Sequence, residues 1–207
     1  MEKKRTTEIL RFNGLALRKQ YEDSDDFAVL TWSVRMGYPR VTVYTTNKKP
    51  ENGEKFDYNT FINAPYDFVA IEDLFDLMDE VLASDKDITR QILSNNNKFK
   101  DGVRTDEIVP QGLVKVGKTD GVMWLAVLEE GKKKIKFELL PNKYHTRYTN
   151  ENEVLKDKAE LSKRYASGYI KVLKRLMRKV SEDTMVSSNI KKDTNVTKTE
   201  KSEDQLF

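Results

Sequence analysis

Apolar and polar residues alternate with a period of two over much of residues 8–63, then change to helical spacing, and a similar switch recurs later in the chain. Residues 27–36 and 38–46 are rich in β-branched and aromatic side chains and meet at Gly37, which predicts a β-hairpin. Residues 56–63, beyond a turn at 50–53, read as a fourth strand. Asp67 can cap a helix over 68–83, whose apolar residues recur at i, i+3, i+4 and i+7. In the second half, residues 121–129 and 133–140 flank Glu130-Gly131-Lys132, and 143–149 is the candidate fourth strand. A helix over 154–180 then follows, with Gly168 inside it at a cost of roughly 1 kcal/mol.

The order of elements repeats. Glu8-Ile9-Leu10 ahead of Gly14-Leu15-Ala16-Leu17-Arg18-Lys19 has a counterpart in Glu107-Ile108-Val109 ahead of Gly112-Leu113-Val114-Lys115-Val116-Gly117-Lys118. Val29-Leu30-Thr31-Trp32 corresponds to Val122-Met123-Trp124-Leu125, and Arg40-Val41-Thr42-Val43 to Lys134-Ile135-Lys136-Phe137. In the helices Ile71, Leu74, Leu77, Met78 and Val81 map onto Ile170, Leu173, Leu176, Met177 and Val180 at a constant offset of 99. The expected fold is therefore α+β, built as tandem β4α repeats whose antiparallel sheets carry the helices on one face. Residues 1–83 form the first unit, 84–105 a connector broken at Asn95-Asn96-Asn97 and Asp101-Gly102, and 106–180 the second unit. Residues 181–207, built from Ser, Thr, Asn and charged side chains with isolated aliphatics at no steady period, read as a disordered tail.

Alternation also sorts the strand faces. Arg40, Thr42, Tyr44 and Thr46 oppose Val41 and Val43; Thr31, Ser33 and Arg35 oppose Leu30, Trp32 and Val34; Lys134, Lys136 and Glu138 oppose Ile135, Phe137 and Leu139. Arg18 and Lys115 alternate against Leu15/Leu17 and Val114/Val116, while Trp32 and Trp124 fall in phase with apolar neighbours and read as core. Polar outer faces are normal in antiparallel sheets and by themselves indicate solubility. Cations interleaved with Tyr and Thr also suit single-stranded nucleic acid, because cations track phosphates and aromatics stack on unpaired bases. The candidate contacts are Arg18, Arg35, Tyr38, Arg40, Tyr44, Lys115, Lys118, Lys134, Lys136 and Arg147.

Composition narrows the chemistry. The 207 residues carry 37 Lys+Arg against 34 Asp+Glu, with no Cys and one His. No metal site can rest on thiolate or on paired His, no cofactor is expected, and no nucleophile–base pair can be assembled, so an enzyme is not expected. No apolar run is long enough to cross a bilayer and no secretory signal is visible, which points to the cytoplasm. Residues 1–180 are basic and the tail is mildly acidic. The first helix holds five acids and no base, the second is strongly basic, and the two can pair within the chain or between subunits. The stretch Gly112 to Thr119 satisfies the phosphate-loop pattern, but its residues alternate as a strand and no helix can follow Asp120-Gly121 directly. His145 reads as a surface or nucleic-acid-contacting residue.

Two successive β4α units resemble the Whirly single-stranded-DNA-binding proteins and are similar to single-unit transcriptional coactivators that dimerise into the same shape. Whirly proteins carry a Lys-Gly-Lys-Ala-Leu signature; Asn13-Gly14-Leu15-Ala16-Leu17 keeps the Gly and the Ala-Leu without the lysines. The chain end Glu203-Asp204-Gln205-Leu206-Phe207 resembles the acidic, Phe-closed tails of bacterial and phage single-stranded-DNA-binding proteins, and the Lys- and Asn-rich chain looks like a phage product. The resemblance implies binding of single-stranded DNA, with RNA as an alternative, in phage replication, recombination or transcription within the host cytoplasm. It also implies a homo-oligomer and a replication or transcription partner met by Glu203, Asp204, Leu206 and Phe207. A regulator that recruits RNA polymerase and a structural assembly protein are the rival expectations.

Overall fold

The computed structural model describes residues 9–20, 27–35, 38–46, 56–101, 103–129, 134–142 and 144–200. Among the described residues, nine strands form two antiparallel sheets and two helices pack against them, an α+β architecture. In the first sheet β1 (Ile9–Arg11) and β2 (Leu17–Gln20), separated by a 3-10 turn at Asn13–Leu15, both pair with β3 (Phe27–Arg35). β3 pairs with β4 (Tyr38–Thr46), which pairs with β5 (Phe56–Pro65), and helix α1 (Phe68–Ala83) follows. The second sheet runs in chain order through β6 (Thr89–Lys100), β7 (Val103–Thr119), β8 (Val122–Leu128) and the short β9 (Phe137–Glu138), ahead of α2 (Lys158–Glu200).

The periodic segments fold as their spacing predicts. Asp67 Oδ1 accepts the Val69 and Ala70 amides at 2.9 and 2.7 Å, which satisfies two N-terminal donors and starts α1. α1 then buries Ile71, Leu74, Phe75, Met78 and Val81. Its counterpart buries Ile170, Leu173 and Met177, with Leu176 and Val180 half-buried. One core joins Leu30, Val41 and Ile62 of the first sheet to Val116, Leu125 and Phe137 of the second and to both helices.

Four expectations are corrected. Residues 84–105 are not a connector: β6 and the start of β7 occupy them as a hairpin turning at Asp101, which takes φ 52°. The Asn run stays in the ladder because side-chain amides find partners, Asn96 on Gln111 at 3.1 Å and Asn97 on the Thr105 carbonyl at 3.0 Å. The halves are consequently out of step as aligned, since Ile9 to Lys19 occupies the first position of its sheet and Ile108 to Lys118 the second. Residues 143–149 supply no strand but an isolated bridge, Tyr148 to Val154. That bridge delays the second helix to Asp157, whose Oδ1 caps it through Ala159 and Glu160 at 2.8 and 3.1 Å. α2 runs on to Glu200, so 181–200 are helical rather than disordered, because no Gly or Pro interrupts the chain after Gly168 and extending a helix is cheaper than nucleating one. Residues 201–207, with the candidate partner contacts Glu203, Asp204, Leu206 and Phe207, lie outside the described residues.

The acidic and basic helices meet within the chain. Arg178 engages Glu72 through two bonds, Nε to Oε1 at 2.9 Å and Nη2 to Oε2 at 2.6 Å, and Lys174 bonds Asp79. The Glu72 carboxyl is held below the usual carboxylate range, first by the Arg178 hydrogen bond. A depressed folded-state pKa means stability that is present at neutral pH and lost as the pH falls through the carboxylate range, about 4.3 and below. Glu72→Gln is expected to lower the melting temperature by a degree or so at pH 7, the size of a half-exposed ion pair, and to leave it at the wild-type value near pH 3. A deficit of equal size at both pH values would show that the pair does not act through charge. Among the described residues no helix is long and apolar enough to cross a membrane.

Candidate nucleic-acid interface

The first sheet has one face on the core and one turned away from it, and the strand register decides which side chains share the outward face. β3 pairs Thr31 with Thr42, Ser33 with Arg40 and Arg35 with Tyr38, while β1 adds Arg11 opposite Ser33 and β2 adds Arg18 opposite Val29. On β5, Asn63 lies opposite Thr42, so Phe61 shares the same face by alternation. A bulge between Val43 and Thr45 then brings Phe56 opposite Thr46. The outward face therefore gathers Arg11, Arg18, Arg35 and Arg40 with Tyr38, Tyr44, Phe27, Phe56 and Phe61.

The aromatic rings form a connected platform. Tyr44 lies 6.0 Å from both Phe56 and Phe61, and Phe56 meets Phe27 edge-on at 5.8 Å. Arg18 stands 5.8 Å over the Phe27 ring. Phe61 is 39% exposed and Tyr38 55%, so apolar surface is open to a ligand. The small residues between them are shaded: Thr42 is buried and donates to Asn63 Oδ1 at 3.1 Å. Among the described residues, no carboxylate lies within ion-pair distance of any of the four arginines. Burial, and then the charge of Arg35, push the Arg40 guanidinium below its ordinary pKa.

Five of the sequence-derived candidates, Arg18, Arg35, Tyr38, Arg40 and Tyr44, thus stand on one surface. The other five do not join them. Lys115 and Lys136 lie on the outer face of the second sheet, where Lys136 Nζ sits 4.3 Å over the Trp124 ring, and Lys134 is exposed beside them. Trp124, paired with Gly117, is accordingly buried on the outward face, turned away from Met123 and Leu125, and does not join the core that holds Trp32. Lys118 turns inward, and its Nζ donates to the carbonyls of Leu82 and Ser84 at the end of α1. A cation there satisfies orphan carbonyls and the negative end of the helix dipole, so Lys118 serves α1 and not a ligand. Arg147 and His145 line a groove of about 470 Å³ against Tyr165 and Tyr169 of α2, away from both sheets' outer faces. His145 shares a 2.8 Å hydrogen bond between its Nδ1 and Asn142 Oδ1.

The residues missed from sequence are Arg11, Phe27, Phe56 and Phe61. Phe27 carried a usable signal, since it shares parity with Val29, Thr31 and Ser33; Phe56 did not, because the bulge resets the alternation. The phosphate-loop imitation also resolves. Gly112 and Gly117 lie within the continuous strand β7. A Cβ on Gly112 would meet the Asn63 carbonyl at 2.7 Å, and one on Gly117 the Trp124 ring at 2.3 Å. Both glycines serve close packing.

A scan against protein-family models, a search of curated proteins and a search of solved structures each found no match to this chain.

Proposed function

We propose that this chain is a single-stranded-DNA-binding protein with little sequence preference, acting in phage replication, recombination or transcription in the host cytoplasm. The observation that carries the reading is the outward face of the first sheet, where four arginines that have no carboxylate partner among the described residues border a contiguous aromatic platform. Arginines neutralise phosphates, rings stack on splayed bases, and neither reads base identity. Two antiparallel sheets, each followed by a helix on the core side, support a Whirly-like tandem β4α arrangement, with the correspondence set by strand position rather than by the sequence alignment of the halves. A homo-oligomer would extend such a face along a strand.

Titration with poly-dT, poly-U and duplex DNA at two salt concentrations tests this. Poly-dT should bind best, and log K should fall against log salt with a slope of about −3 if four phosphates are neutralised. Equal or better binding of poly-U would move the function to RNA. No binding at low salt would favour an assembly protein whose sheet face meets protein.

A further inference from the structure

The arginines on the outward face are not spread evenly. Ser33 of β3 has Arg11 as its cross-strand partner on one side and Arg40 on the other, and Arg35 is the next residue of β3 on the same face. Directly opposed side chains in an antiparallel sheet stand roughly 5 Å apart at Cβ, so three arginines are rooted around one small, buried serine, and the charge of Arg35 is felt at Arg40. Like charges so placed repel, and among the described residues none of the three has a carboxylate to relieve it. Arg40 bears the sharper penalty: its Nε is shut off from solvent and has no hydrogen-bond partner among the described residues. A fold left to itself gains nothing from this arrangement. An oxyanion bound over Ser33 would neutralise the cluster and, with a small turn of the Arg40 side chain, give Nε and Nη a bidentate acceptor.

We propose that Arg11, Arg35 and Arg40 around Ser33 form a discrete phosphate site, the point at which one phosphate of a nucleic-acid strand is anchored to the sheet. The proposal rests on the nucleic-acid reading for its biological ligand, but the site is defined by its chemistry. A phosphate fits better than a carboxylate, since two oxygens saturate a single guanidinium fork and a phosphate brings more acceptors and charge. From Arg40 to Tyr44 is four residues of strand, about 13 Å, so the bases beside the anchored phosphate reach the Tyr44 platform within about two nucleotides.

The experiment compares wild type, Arg40→Gln, Arg40→Lys and Arg35→Gln in two assays. The first follows melting temperature while inorganic phosphate replaces chloride at constant ionic strength. The second measures affinity for oligo-dT with and without a 5′-phosphate. Wild type should melt higher in phosphate. Arg40→Gln should melt above wild type without phosphate, lose the phosphate response and bind oligo-dT about tenfold or more weakly, the worth of a charge-assisted hydrogen-bond pair. Arg40→Lys, which keeps charge and loses the fork, should fall between. Tighter binding of the 5′-phosphorylated oligonucleotide marks a terminal phosphate as the preferred ligand, and equal binding an internal phosphodiester; both support the site. Wild-type phosphate response and affinity in Arg40→Gln would overturn it while leaving the nucleic-acid reading intact. A phosphate response lost in Arg40→Gln, in a protein that binds no oligonucleotide, would uphold the site and sink that reading. If Arg40→Gln fails to fold, the exposed Arg35→Gln decides, and an unchanged phosphate response there overturns the proposal.

Discussion

Trp32→Ala is expected to destabilise the protein by about 3–5 kcal/mol, the cost of emptying a large buried aromatic site. Trp32 has no exposed surface and packs on Phe75 of α1 with ring centroids 6.4 Å apart. Its Nε1 donates to the Tyr169 hydroxyl of α2 at 2.6 Å, and that hydroxyl donates to the Leu15 carbonyl at 2.8 Å. One side chain thus ties the first sheet to both helices, and the tyrosine carries the tie on to the break between β1 and β2. For a chain of this size the loss corresponds to a fall of about 10 °C or more in melting temperature. Tyr169→Phe should cost about 1–3 kcal/mol, since it keeps the ring and leaves the indole N–H and the Leu15 carbonyl unpaired. Urea or thermal unfolding measures both, and a Trp32→Ala change under 1 kcal/mol would contradict this packing.

The largest effect on binding is expected from Tyr44→Ala combined with Phe61→Ala. Stacking contributes about 1–3 kcal/mol per base, so losing two platforms should weaken oligo-dT binding by about a hundredfold. Phe61 is 39% exposed and its loss should cost little stability. The salt slope should stay near its wild-type value, because phosphates remain paired while bases lose their support. Unchanged affinity in the double variant would show that the rings serve the fold alone.

Much of this arrangement is legible in the chain. The hairpin 27–46 and the helix 68–83 combine strong periodicity with a capping Asp67, and local preference there agrees with tertiary burial. β6 escapes notice because an edge strand with polar side chains and three successive asparagines carries turn chemistry, while its hydrogen bonds come from β7. Lys118 and Trp124 defy the reading because alternation gives two faces without saying which is inward; Met123, Leu125 and Val127, rather than Trp124, are the residues that β8 gives to the core. The same limit hid Arg11, which lies on a strand of three residues, too short to show a period. Assigning ligand contacts one strand at a time found half of the outward face; register across five strands was needed for the rest.

The exposed cations of α2, among them Lys171, Arg175 and Lys179, offer nucleic acid a competing surface. Ultraviolet crosslinking of oligo-dT to the whole protein, read out by peptide mass, distinguishes the two most directly. Adducts confined to Tyr38, Tyr44, Phe56 and Phe61 are the expected result. Adducts on α2 or on the second sheet, with those four residues unmodified, would contradict binding across the outward face of the first.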